Sequence, residues 1–317
     1  MKLFLLFLTN LFLAGALCQS KIDLAEKLVN DKKFEEAKKL LSPIDNKNKE
    51  YASAQYYLGI IAYKQKMFDD AADHFEEAID ANDKVADYYN RLGNTYGTIA
   101  QYSNLIIQGY LAPKMKNAWK KASELDPENT EARWALVQYY TQAPSFMGGS
   151  FEKARVMAEE IRKLNKAEGH RALGTIYQWE NKHSDAEKEF IEMTKLSPAL
   201  GYQLADYYAG QKKYDKAFNL LEDLLKKNPT DYLALYQFGK TSMMTGLKYD
   251  RAIDCLNNFL KYQPNEHEPS IAAANTLLAR IYERRGNKSE AKKFYTAALK
   301  EDPKLKEARE GLDRMSE

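Results

Sequence analysis

Small, large and polar positions recur along this chain in a fixed phase. In the stretch Ala172–Phe190, Leu173-Gly174 and Tyr177 are followed by Ala186 and Phe190, Pro198 stands beyond, and charged residues fill the intervals. Apolar positions three or four apart with charges between them predict amphipathic helices, and the proline marks a stop. The skeleton returns upstream as Leu58-Gly59 with Ala71, Phe75 and Ala78, and as Leu92-Gly93 with Tyr96, Trp119, Ala122 and Pro127. Downstream it reads Leu204-Ala205 with Tyr208, Ala217, Leu221 and Pro229, then Phe238-Gly239 with Ala252, Leu256 and Pro264, then Leu278-Ala279 with Tyr282, Gly286, Ala291, Tyr295, Ala298 and Pro303. Weaker copies are Leu24-Ala25 with Ala37 and Leu41, and Leu136-Val137 with Tyr140 and Ala154, for about eight in all.

Glycine inside a helix costs about 1 kcal/mol relative to alanine, so a recurring Leu-Gly pair needs a packing reason. The expectation is that each copy folds as two antiparallel helices, with Gly174 on the first facing Ala186 on the second, so that the axes approach to about 8 Å. Tyr177 and Phe190 then fill the wider parts of the interface. One such hairpin cannot bury its apolar face alone, so neighbours must stack into a continuous core.

This skeleton resembles the tetratricopeptide repeat, a helix-turn-helix unit of about 34 residues, over nearly the whole chain from about Lys21 to Arg314. The resemblance implies an all-α, right-handed superhelical solenoid with a concave inner surface. Repeats are expected at roughly 19–51, 52–85, 86–129, 130–166, 167–197, 198–231, 232–271 and 272–303. A capping helix at 304–317 follows, amphipathic with Ala308, Leu312 and Met315 on one side.

Two repeats depart from the spacing. Gly174 and Pro198 lie 24 apart, but Gly93 and Pro127 lie 34 apart, so about ten extra residues enter "GTIAQYSNLIIQGYLAPKM". Tyr140 and Ala154 are 14 apart against 9 for Tyr177 and Ala186, which places a second insertion in "TQAPSFMGGSF". The extended hairpin is also similar to that of the regulators of microtubule dynamics, through Gly109-Tyr110 and Leu125-Asp126-Pro127. Both insertions are expected at one edge, with Ile99, Tyr102, Ile106 and Tyr110 on one helical face and Phe146 and Met147 at the second tip. They serve either as a second binding surface or as a local extension of the core.

The resemblance also implies a partner-binding groove, lined by residues two before and two after the first member of each anchor pair. These are Tyr56 and Ile60, Asn90 and Asn94, Trp134 and Gln138, Arg171 and Thr175, Tyr202 and Asp206, Tyr236 and Lys240, and Thr276 and Arg280. Aromatics and arginine favour protein contacts, and amides can satisfy a peptide backbone. Asn90, Arg91 and Asn94 supply only a fragment of the set that clamps a terminal carboxylate, so that ligand is not expected.

Composition narrows the function classes. The 317 residues include 22 tyrosines but only 15 glycines and 9 prolines, which favours helices. A net charge of +2 with 47 basic and 45 acidic residues interleaved argues against nucleic acid. Four histidines without metal-ligand spacing, no phosphate loop in "GNTYG", and carboxylate pairs such as Glu76-Glu77 that point apart on a helix give no catalytic, cofactor or metal site.

The start, MKLFLLFLTNLFLAGALCQS, has Lys2, an apolar run Leu3–Leu17, and small residues Ala16 and Cys18. It reads as a secretory signal peptide at 1–18, cut before Gln19, with a lipoprotein anchor on Cys18 as the alternative. Cys255 then remains alone as a buried thiol. The expected protein is a non-catalytic scaffold or adaptor, periplasmic or secreted, that binds a protein or peptide and meets a membrane only through its signal peptide; homo-oligomers are compatible with this. The rival readings are an oligomeric envelope-assembly or transport accessory that passes a ligand, and an enzyme with a site in the inserted loops.

Overall fold

The computed structural model describes residues 20–265 and 268–315, and every regular element among them is helical. The expected signal peptide lies outside the described residues. The chain divides into two compact units, one up to Met157 and the other from Ala158. The first holds α1 (Lys21–Asn30), α2 (Phe34–Leu41), α3 (Tyr51–Lys64), α4 (Phe68–Ala81), α5 (Ala86–Gln101), α6 (Leu105–Leu125) and α7 (Glu131–Gln142). The division falls within α8 (Phe151–Leu164). The second unit continues with α9 (Lys166–Trp179), α10 (His183–Leu196), α11 (Gly201–Gly210), α12 (Tyr214–Lys227), α13 (Tyr232–Thr245) and α14 (Tyr249–Phe259). It ends with α15 (Ile271–Arg284), α16 (Lys288–Glu301) and α17 (Lys306–Arg314). Within each unit consecutive helices pack as hairpins, and hairpins pack on their neighbours, as α4 does on α5 and α12 on α13. This is the all-α stacking that the skeleton predicts.

The nearest side chain to the recurring glycine is the large residue of the second helix. A Cβ on Gly174 would stand 3.0 Å from the ring of Phe190. The same relation holds for Gly59 with Phe75 at 2.7 Å, Gly93 with Trp119 at 2.6 Å and Gly239 with Leu256 at 2.5 Å. Ala71, Ala186, Ala217, Ala252 and Ala291 are nonetheless completely buried. Alanine and the large residue four later share one face of the second helix, and the longer side chain comes nearest the first helix's backbone. Each glycine is therefore a recess for a ring or a branched chain. Tyr295 of α16 reaches forward instead: a Cβ on Gly311 of α17 would lie 2.2 Å from its ring, which is how the capping helix closes the second unit.

A second regularity sits in the turns. Lys32, Lys66, Asn181 and Lys212 adopt φ of 60°, 62°, 58° and 58°, and Gly286 has 74° in the same phase. The N–H of the following residue returns to a carbonyl five residues back, as in Lys33 to Leu28 at 2.8 Å and Lys213 to Tyr208 at 2.8 Å. This closure satisfies the last carbonyls of the first helix and turns the chain into the second.

The insertions abandon that turn. The first lengthens helices: α6 has 21 residues where α10 and α12 each have 14. Its buried residues Leu111, Ala112, Ala118, Trp119 and Ala122 start only in the second turn, so residues 105–110 overhang the core. Asn104 caps this tip, its Oδ1 accepting from the Ile106 and Ile107 N–H groups at 3.1 Å. The second insertion is a 3-10 turn at Ser145–Met147 followed by Gly148 with φ 98°. Gly149 presses on backbone, since a Cβ there would lie 1.8 Å from the Ala143 carbonyl oxygen.

Candidate functional site

The first helices of the hairpins present the residues expected to line a groove, and each unit shows its own set. In the first unit Tyr56 is half-buried, stacked on Tyr88 with centroids 5.1 Å apart, and donates a short hydrogen bond to Asp87 of the next hairpin. Burial first, and then that carboxylate, push its phenol pKa up. Asn90 is 1 % exposed, and neither its amide nitrogen nor its oxygen has a hydrogen-bond partner among the described residues. Asn94 is engaged from two sides: its Oδ1 accepts from the Trp119 indole N–H at 2.8 Å, and its Nδ2 donates to Glu131 at 3.1 Å. Trp134 is half-buried on α7 and Gln138 is exposed one turn on.

In the second unit Arg171 pairs with Glu168 at 2.7 Å on its own helix. Tyr202 is half-buried, and its hydroxyl accepts from the Gln203 amide at 3.0 Å. Asp206 accepts from Gln237 at 2.8 Å and from Lys240 at 2.9 Å, both on the following first helix. Tyr236 packs on Phe259 with centroids 5.3 Å apart, and burial raises its phenol pKa. Arg280 pairs with Glu307 of α17.

Of the expected groove residues, Tyr56, Asn94, Asp206, Lys240 and Arg280 form a ladder of polar contacts between successive first helices, whereas Asn90 and Thr276 are buried and do not line an open face. Asp87, Glu131, Gln237 and Glu307 are its other halves and were missed in the sequence. Their partners lie 27 to 37 residues away, close to one repeat length, and that interval was the available signal. Each contact joins neighbouring hairpins while leaving half-exposed rings, amides and charges beside it. Such a face can bind an extended chain by ring contact and hydrogen bonds.

The second surface lies at the insertions. Tyr102 is 77 %, Ile106 84 % and Phe146 83 % exposed, and Leu105 and Tyr110 join them. Ile99, Tyr102, Ile106 and Tyr110 do not form one helical face as expected, because α5 ends at Gln101 and α6 begins at Leu105, so they flank a turn. Met147 turns inward: its Cε would lie 3.7 Å from a Cβ on Gly109, and its carbonyl accepts from the Tyr139 hydroxyl at 2.5 Å. The two insertions therefore pack on each other through Met147 while their tips stay open. A cleft of about 360 Å³ beside Tyr102 is lined by Lys66, Met67, Phe68, Asp69, Asp70, Ile99 and Ser103.

Among the described residues no His, Cys, Asp and Glu cluster could hold a metal, and no helix is long and apolar enough to cross a membrane. Cys255 is buried, and burial pushes its thiol up to about 12, far from a reactive thiolate.

Tetratricopeptide repeat family models match residues 52–84, 198–241 and 244–305. The chain is a tetratricopeptide repeat protein. Among solved structures, this repeat protein is similar to a tetratricopeptide repeat protein from Parabacteroides merdae, at 15 % identity and a TM-score of 0.56, covering 94 % of this chain and 98 % of that one. It is also similar to yeast Tom70, at 18 % identity and a TM-score of 0.59, covering 83 % of this chain and 56 % of Tom70. A curated relative is the DnaJ homolog subfamily C member 7 homolog of Schizosaccharomyces pombe, 23 % identical over 273 residues, or 81 % of this chain. The chain spans about half the length of that relative.

Proposed function

We propose that this protein is a non-catalytic interaction scaffold that binds a protein or peptide on the faces of its first helices. The observation that supports this most directly is the inter-hairpin ladder. Asp206 and Lys240 remain about half exposed although they pair with each other, and Tyr202, Tyr236 and Trp134 show part of a ring beside such contacts. A preformed face of this kind lowers the ordering cost of binding, and its charges set the polarity of the bound chain. We also propose export, supported by Lys2, the apolar run to Leu17 and the small residues Ala16 and Cys18 ahead of Gln19.

The test is site-specific photocrosslinking in native cells, with a photoreactive residue at Gln138 or Lys240 on first helices and at Lys188 on a second helix. Adducts to another polypeptide are expected from the first two positions and not from Lys188. Adducts from Lys188 alone would place the partner elsewhere and overturn the assignment. Trp134→Ala with Tyr202→Ala is expected to weaken adduct formation while changing the melting temperature little; a matching loss of folding would make those rings core.

A further inference from the structure

We propose that the tip formed by the start of α6 and by Phe146 is a membrane-contact surface that enters the headgroup region of a phospholipid bilayer carrying anionic lipid. Tyr102, Leu105, Ile106, Tyr110 and Phe146 are each between 64 % and 84 % exposed. At about 150–250 Å² per full aromatic side chain, the three rings alone leave on the order of 400 Å² uncovered, before Leu105 and Ile106 are added. Patches of that size on a monomer mark a contact surface. The overhang shows that this is no local defect of the core: residues 105–110 precede the buried part of α6.

Charge selects the occupant. The chain has 45 acidic residues, yet none lies between Thr98 and Ser123 or between Thr141 and Phe151, whereas Lys114 and Lys116 do. Lys116 reaches the second insertion, its Nζ standing 3.7 Å from a Cβ built on Gly148. Lys114 lies over the Tyr110 ring at 5.0 Å and pairs with Glu76 at 3.6 Å. A second copy of the chain would bring the same lysine-bearing, acid-free segments against these, like against like. An anionic bilayer supplies the opposite charge at the depth where tyrosine rings and lysine stems are stable. Asp69 and Asp70 line the cleft on the far side of Tyr102, so penetration is limited to Leu105, Ile106, Tyr110 and Phe146 with Tyr102 at the water edge.

The experiment uses the full chain in a Cys18→Ser background, so that the fluorophore attaches at the introduced cysteine while Cys255 is buried, and a readout local to the tip is used because the apolar start could itself bind lipid. An environment-sensitive fluorophore is attached at Ile106→Cys or, as a remote control, at Lys188→Cys. Vesicles of phosphatidylcholine, with and without about one-third phosphatidylglycerol, are then added. The expected result is a blue shift and quenching by lipid-borne quenchers at position 106, stronger with phosphatidylglycerol and absent at 188. Leu105→Asp with Phe146→Asp in the Ile106→Cys protein should reduce the vesicle-dependent signal about tenfold or more, at unchanged melting temperature. Lys116→Glu should remove only the phosphatidylglycerol preference. No shift with either vesicle, or a shift that grows with protein concentration without lipid, would overturn the proposal, the latter in favour of a second copy.

Discussion

Hairpins α9–α10 and α5–α6 begin from the same Leu-Gly pair and end differently. In α9–α10, Phe190 lies over Gly174, Asn181 takes the left-handed turn, and Pro198 stands one residue beyond the Ser197 cap of α10. In α5–α6 the ring over Gly93 is Trp119, its indole is hydrogen-bonded to Asn94, and the tip runs past the core. A hairpin of ordinary length spends its apolar residues on the core. Ten extra residues placed between the same anchors have no core to reach, and their apolar side chains stay at the surface.

The largest expected effect tests the ring-on-glycine contact in both hairpins. Trp119→Ala and Phe190→Ala should each lose about 3–5 kcal/mol in denaturant unfolding. Trp119→Phe should still lose about 1–2 kcal/mol, because Asn94 keeps no donor for its Oδ1. If Trp119→Phe cost nothing, the indole bond would not distinguish the extended hairpin. Next, Gly93→Ala and Gly174→Ala should differ. A Cβ on Gly93 meets a hydrogen-bonded indole at 2.6 Å and should destabilise by about 1–2 kcal/mol. At Gly174 the ring is 3.0 Å away, and the gain in helix propensity should leave the change within about 1 kcal/mol. Equal effects would erase the contrast.

A pH series probes the regular hairpins. Glu187 of α10 accepts from Lys213 at 2.6 Å and Lys216 at 3.1 Å, which lowers its pKa from 4.5 to about 2. A carboxyl with a depressed folded pKa stabilises above its unfolded value, so this contribution is present above about pH 4.5 and is lost as pH falls toward about 2. After screening at the half-exposed lysines it should amount to about 1–2 kcal/mol. Glu187→Gln should flatten that part of the stability profile, and an unchanged profile would remove the contact from the account. The smallest expected effect concerns the turn. Lys212 sits at φ 58°, so Lys212→Gly should stabilise by up to about 1 kcal/mol, part of the relief being offset by the freer unfolded chain. The extended tip has no left-handed residue, and no gain is expected there from Ser103→Gly.

Much of the fold was legible because its signals are local and repeated. Leu-Gly, Ala and a large residue at constant intervals announce paired helices, and a changed interval, as between Gly93 and Pro127, announces an insertion. The left-handed turn was present in the sequence but partly hidden, since lysine at residues 32, 66 and 212 is not a recognised mark of that conformation, whereas Asn181 and Gly286 are. The candidate face was legible as positions but not as contacts. Asn94 was expected to await a ligand, whereas it is held between Trp119 and Glu131. Reading that pairing requires knowing which residue of the neighbouring hairpin arrives opposite.

The amino-acid order by itself determined the helices, their breaks, the two insertions and the supply of recesses and rings, because helix period and residue size act within a turn or two of chain. Tertiary structure decided that Phe190 lies nearest Gly174, that first helices are joined through Asp87, Glu131, Gln237 and Glu307, and that Met147 is half-buried while Phe146 is exposed. Those outcomes depend on how far each side chain reaches across an interface, a distance that exists only once the helices have packed.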